Sequence, residues 1–243
     1  MDLEKTRVKL GRALAPTVVA QTPHGALRIR CTTSKSVSEA RERFGLEPET
    51  LAWIDQLPRG DRLWDIGANI GLIALYAAKA GLDVTAFEPG AENYAAMNES
   101  IWLNRLGGRV RAYCIALSES SGVGDFHMGD PRAGAALHAF GEPESHAGRF
   151  DPGFSQAMLG LSIDDAVALM GFPPPDHIKL DVDSIEDRIL RGAKATLPKV
   201  KSVLIEIEDT RPAEWRETVH GLMQAAGFTV RNPDLRNVEF VRA

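Results

Sequence analysis

Residues 63–79 read LWDIGANIGLIALYAAK, and this stretch decides the fold. An apolar strand runs to Asp65, Gly67-Ala68-Asn69-Ile70-Gly71 turns the chain, and an apolar helix over 70–80 follows. Gly67 and Gly71 permit positive φ and a close approach of backbone to a ligand. The helix offers unpaired N–H groups and about half a positive charge at its start, which suits a carboxylate or a phosphate. Such turns also occur with no ligand. Asp65 argues otherwise, because a carboxylate at a strand end is costly unless it meets a donor or a cation.

Outward from this turn, short apolar runs alternate with amphipathic stretches, the pattern of a parallel sheet wrapped by helices. Strands are expected at 62–66, 83–88, 110–114, 177–180 and 202–207, with helices at 91–103, 162–170, 185–196 and 213–226. Gly81, Gly107 and Gly227 stand where these helices should end. The chain closes on strands 228–231 and 237–242 around Asn232-Pro233-Asp234, an antiparallel terminal hairpin. Residues 1–60 read as a small N-terminal cap, with a hairpin around Pro23-His24-Gly25 and helices near 36–44 and 48–57; 61–243 form the main domain. Rich in Gly, Pro and His, 121–160 reads as an irregular substrate lid.

The chain has 243 residues, about 1.6 domains at ~150 residues each. A hydrophobic share of 44% and a charged share of 25% exclude a disordered tail or a fibre. With 28 Lys+Arg against 33 Asp+Glu the net charge is −5, so no global attraction to nucleic acid is expected. Cys31 and Cys114 fit no CxxC pattern, which points to a reducing compartment without structural zinc. The N-terminus lacks a signal-peptide core, and the longest apolar run, 70–78, is well short of the ~20 residues that span a bilayer. A soluble, cytoplasmic protein is expected.

A dinucleotide fingerprint beginning at Gly67 needs glycines at 69 and 72, where Asn69 and Leu72 stand, and this counts against NAD. The next strand, DVTAFEP, ends in Glu88, whose carboxylate can accept two hydrogen bonds from a ribose diol. That feature serves NAD and S-adenosylmethionine alike but repels the 2′-phosphate of NADP. Glu88 can also simply favour the N-terminus of helix 91–103, worth ~0.3–1 kcal/mol.

DIGANIG, AFEP, IKLDVDSIEDRILRGA and VLIEIE, in this order, resemble the FkbM family of S-adenosylmethionine-dependent methyltransferases. The likeness extends over 46–207. It implies a class I methyltransferase fold, an α/β, Rossmann-like, mostly parallel seven-stranded sheet, with S-adenosyl-L-methionine as cofactor. It puts Asp65, Gly67, Asn69 and Gly71 around the methionine part and Glu88 on the ribose, counts Ala68 and Pro89 among the cofactor-binding residues, and has Asn104 at a matching position. Ala116, in the Ile115-Ala116-Leu117 segment, would flank the adenine. The chain departs from the family pattern at Asp183-Ser184, where a Glu-Gly pair is usual. Ser184 is either a helix N-cap or part of the site.

Ligands of open α/β sheets sit outside the carboxyl ends of the strands. Asp181 ends HIKLD and Glu206 lies near the end of SVLIEI, so both can face that crevice. Asp181 is the candidate general base or acceptor-orienting carboxylate, with Glu206 as its partner; alternatively Asp181 is a cap and Glu206 a buried partner of Lys179 or Arg191. Asp183 and, in the lid, His138 are candidate acceptor contacts, and His127 is a second lid histidine. Asp181 and Asp183 can in principle hold Mg²⁺, although the spacing demands no metal.

The expected function is O-methylation of a hydroxyl on a small molecule: a sugar, a glycolipid or a polyketide-like metabolite. The alternatives are an NAD-dependent oxidoreductase, an RNA 2′-O-methyltransferase and a non-catalytic binding module. The expected partner is the small-molecule acceptor, with no nucleic acid and no membrane span; a cap of this size is compatible with a homodimer.

Overall fold

The computed structural model describes residues 2–145, 148–183, 185–207, 212–233 and 235–242. Its N-terminal part comprises α1 (Leu3–Leu14), β1 (Thr17–Ala20), β2 (Leu27–Arg30), α2 (Ser34–Leu46) and α3 (Pro48–Gln56). The glycine-rich turn lies between β3 (Arg62–Ile66) and α4 (Leu72–Ala80), followed by β4 (Asp83–Phe87), α5 (Ala91–Leu103) and β5 (Val110–Tyr113). Next come β6 (Ala116–Leu117), β7 (Gly122–Met128), β8 (His138–Phe140), β9 (Glu144–Ser145), β10 (Gly148–Arg149), β11 (Phe154–Leu161) and α6 (Ile163–Ala168). The chain finishes with β12 (His177–Leu180), α7 (Glu186–Arg191), β13 (Ser202–Glu206), α8 (Ala213–Ala225), β14 (Phe228–Val230) and β15 (Asn237–Arg242).

Seven strands form the central sheet in the order β14-β15-β13-β12-β3-β4-β5. The run from β13 to β5 is parallel, and β15 pairs antiparallel with both β13 and β14. The apolar runs have a simple cause: His177–Leu180 is buried at every position because helices cover both faces. Trp64, Ile66, Ile178, Leu180, Val203 and Ile205 point into one core, and Leu63, Val84, Ala86 and Leu204 into the other. By the two-residue period of a strand, Asp65, Lys179, Asp181 and Glu206 share the second face. Asp65 and Lys179 are direct register partners there.

That second face is the one the N-terminal part covers. Leu27, Ile29, Ala40, Trp53 and Ile54 join the same core cluster as α4, and the Trp53 indole donates to Ser202 Oγ at 3.2 Å. The cap therefore shares a core with the sheet. Helix α1 was not anticipated from the sequence; its Leu3, Val8, Leu10 and Leu14 are exposed. Among the described residues no helix is long and apolar enough to cross a membrane.

The expectation that 121–160 is irregular is corrected. β7 and β11 pair antiparallel from Gly122↔Gly160 to Met128↔Phe154, within a four-stranded sheet ordered β6-β11-β7-β8. Glycines hide these strands from a sequence reader, yet the Phe140 ring covers two of them. A Cβ on Gly124 or Gly160 would meet it at 3.0 or 2.5 Å. Between β7 and β8, residues 129–137 carry no regular structure. Helix 185–196 is also shorter than expected, ending at Arg191. The Asp164 carboxylate takes the Ala195 and Thr196 amides, each at 2.8 Å, that a continued helix would have used. Ser184, Glu208 and Asp234 lie outside the described residues.

Candidate active site

A cavity of about 310 Å³ opens at the carboxyl ends of β3, β4, β12 and β13, at the lower end of the ~300–1,000 Å³ usual for small-molecule sites. Asp65, Gly67, Ala68, Asn69, Glu88, Pro89, His138, Asp181, Asp183 and Glu206 all line it. Residues from separate motifs are thus brought to one place by the fold.

The turn forms because Gly67, Asn69 and Gly71 all take positive φ. At Gly67 the glycine is required by the protein itself, since a Cβ would stand 1.7 Å from the Asp181 carbonyl oxygen. Gly71 caps α4 and packs against Met97, outside the cavity lining. Asn69 holds its left-handed conformation by bonding both ways: its Oδ1 accepts from the Ile70 amide at 2.8 Å, and its amide N–H donates to Glu88 Oε2 at 2.8 Å. The Gly90 amide completes the Glu88 carboxylate at 2.8 Å. Burial nonetheless pushes the Glu88 pKa up to about 7, because the bonds from Gly90, Asn69 and Asn93 offset only part of the desolvation.

Asp65 is fully buried, and neither oxygen has a hydrogen-bond partner within bonding distance. Burial raises its pKa to about 6 against the opposing pull of Lys179 and, more weakly, the Ala74 amide. A buried, unpartnered carboxylate beside a cavity calls for a cationic or N–H-bearing ligand group. Next to this cavity a smaller, mostly apolar recess of about 30 Å³ is walled by Phe87, Pro89, Ile115, Ala116, Leu117 and Phe140. His138 lines both spaces and lies edge-on to Phe126. Burial, then the Lys35 charge, lowers its pKa to about 4, so it is neutral at pH 7.

Across the cavity the carboxylates are held by cations. Lys179 Nζ donates to Asp181 Oδ2 at 2.8 Å, Arg236 pairs with Glu206 at 2.9 Å, and Arg43 pairs with Glu47. One oxygen each of Glu47, Asp181 and Glu206 lie within 4.8 Å of one another. Burial works to raise the Asp181 pKa, but the Lys179 ammonium and a hydrogen bond with Glu206 outweigh it and keep Asp181 ionised. Burial and the Asp181 charge push Glu206 up, so it carries the proton between them.

A strap over the cavity comes from 133–138. Asn69 Nδ2 and Asn93 Nδ2 both donate to the Ala135 carbonyl at 3.2 Å, and the Leu137 amide donates to Asp183 Oδ2 at 2.7 Å. Asp183 takes φ +68° there.

Some expectations are not met. Asn104 stands apart from the cavity: it caps α5 and stitches β2 to it, accepting from the Arg28 amide at 2.9 Å and donating to the Arg28 carbonyl at 2.6 Å. His127 is tied to Ser155 Oγ and the Gly141 carbonyl, each at 2.8 Å. Conversely, Glu39, Arg43, Glu47, Asn93 and Arg236 line the cavity without having been singled out. The i, i+4 spacing of Glu39, Arg43 and Glu47 was visible, but it signals an ion-pair ladder on a helix rather than a site.

Comparison with known proteins fits this geometry. The family model described as methyltransferase FkbM domain matches residues 65–230. The 31-O-demethyl-FK506 methyltransferase FkbM of Streptomyces tacrolimicus is 28% identical over 72% of this chain and 75% of its own. The hexuronic acid methyltransferase AglP of Haloferax volcanii is 26% identical over 82% of this chain and 77% of its own. Among solved structures, magnesium protoporphyrin IX methyltransferase from Synechocystis PCC 6803, with bound SAM, superposes with a TM-score of 0.51 at 10% identity. That match covers 88% of this chain and 86% of the other. A SAM-dependent methyltransferase from Agrobacterium tumefaciens gives 0.52 at 14%, over 90% of this chain and 61% of its own. These two likenesses concern the fold.

Proposed function

The chain belongs to the methyltransferase FkbM domain family, and from that premise we propose that it methylates a hydroxyl oxygen of a small molecule beside Asp181. S-Adenosyl-L-methionine is the cofactor, and when bound it supplies an electrophilic methyl group on a positively charged sulfur. The residues present suit it. Asp65 is a buried cavity-lining carboxylate whose oxygens have no hydrogen-bond partner, which suits an ammonium group. Glu88 keeps acceptor capacity for a ribose diol, and the apolar lining around Ala116 is chemically suited to the edge of a nucleobase.

The observation that carries the acceptor assignment is the Lys179–Asp181–Glu206 set at the strand ends of the same cavity. A hydroxyl is a weak nucleophile while protonated, and a positioned base contributes ~10²–10⁴-fold. Asp181, kept ionised by Lys179, accepts the hydroxyl proton, and the protonated Glu206 keeps the site from accumulating another negative charge. Holding the acceptor oxygen in line is the larger contribution, on the order of 7–11 kcal/mol. The acidic balance of the chain favours a small-molecule acceptor over nucleic acid.

Asp181→Asn tests this reading. It should lower kcat by ~10²–10⁴-fold while the affinity for S-adenosylmethionine stays near normal. Undiminished turnover would remove Asp181 as the base.

A further inference from the structure

The family model begins at residue 65, yet Glu39 and Arg43 of α2 and Glu47, between α2 and α3, line the cavity beside Asp181. We propose that this cap ladder recognises a polyhydroxylated acceptor, a sugar ring, and rejects an apolar one; the inference rests on the methyltransferase reading and names its substrate class.

Glu47 carries the case. It is 5% exposed, its Oε1 is taken by Arg43, and its Oε2 is buried with no hydrogen-bond partner. An oxygen so placed lacks a donor, and a hydroxyl supplies one. Beside it Arg43 directs Nε and Nη2 to Glu39 Oε2, at 3.0 and 2.6 Å, and Nη1 to Glu47. A guanidinium has five N–H donors, so this clamp fixes the fork and still leaves donors for another oxygen. Within 4.8 Å of Glu47 come Asp181 and Glu206.

A polyol both donates and accepts, and a ring with neighbouring hydroxyls can engage Asp181 through one oxygen and Glu47 or Arg43 through another. An apolar alcohol matches only the first. Sites whose buried polar groups need partners discriminate strongly against ligands that leave them unpaired. Ile70, Leu72 and Ile73 give the cavity an apolar side, enough for the carbon face of a sugar.

The test measures labelled methyl transfer from S-adenosylmethionine to methyl glycosides of neutral hexoses and of hexuronic acids. Cyclohexanol and an apolar macrocyclic secondary alcohol are run in parallel. At least one glycoside should exceed both alcohols by ~100-fold in kcat/KM. With that glycoside, Glu47→Gln should raise the acceptor KM about tenfold, a larger change than in kcat, while cofactor affinity changes little. Arg43→Lys, which keeps the charge and loses the fork, should show the same split, so the proposal stays testable if Glu47→Gln does not fold. Equal or better transfer to the alcohols, no transfer to any glycoside by a protein that binds S-adenosylmethionine, or an unmoved KM in both variants overturns the proposal. Failure of the wild type to bind S-adenosylmethionine would instead sink the methyltransferase reading.

Discussion

At one end of the cavity Glu88 is held by the amides of Asn69 and Gly90; at the other, Glu47, Asp181 and Glu206 are each held by a basic side chain. The first arrangement is dipolar and leaves the carboxylate ready to exist as an acid near neutral pH. The second is ionic and sets one neighbour against another, Asp181 ionised and Glu206 protonated. Backbone amides suit a site that binds neutral hydroxyls. An ionised carboxylate beside a protonated one suits a site that moves a proton.

The sharpest way to break this contrast is Lys179→Met. Lys179 is the buried counter-charge for Asp181 and sits in register with Asp65. Its loss strands carboxylates in the interior, and unfolding free energy should fall by ~3–5 kcal/mol in denaturant titration. A loss below ~1 kcal/mol would mean that the ionic end is not held as described.

The two carboxyls that burial raises, Glu88 and Asp65, have a pH signature. Glu88 is raised in the folded protein to about 7, and Asp65 to about 6. A carboxyl whose folded pKa lies above its unfolded value favours folding fully at low pH, and that contribution is lost as pH rises through the folded value. Unliganded protein should therefore lose stability from these two groups between pH 4 and about pH 8. Comparison of the pH dependence of thermal unfolding in wild type and Glu88→Gln isolates the share of Glu88; identical profiles would count against a buried acid there. The smallest effect is expected from Asn104→Ala. It should cost ~1–2 kcal/mol of stability through the lost bonds to Arg28 and leave cofactor affinity unchanged, as measured by calorimetry.

The same contrast explains what could be read from the sequence. Asp65, Gly67, Asn69 and Glu88 interact through a single turn and the next strand, so the motif that specifies them also specifies their neighbours. The parallel order of the sheet and its terminal hairpin were legible for a related reason: strands buried on both faces write continuous apolar runs. The other end is assembled from distant segments. Glu47 and Asp181 are separated by more than half the chain, and their meeting depends on how α2 and α3 settle over the β3–β12 face. Asn104 shows the converse, a residue at a matching position whose bonds turn out to serve the hairpin. β7 and β11 were missed because glycines replaced the β-branched residues that mark strands, their place taken by the Phe140 ring.

Cofactor titration by calorimetry across three proteins tests the division of labour most directly. Wild type should bind one S-adenosylmethionine per chain; Glu88→Ala should bind it ~10–100-fold more weakly, as expected for losing a buried ribose contact worth ~1–3 kcal/mol; Asp181→Asn should bind as the wild type does. Equal affinity in all three, or a loss confined to Asp181→Asn, would contradict the assignment of the two ends.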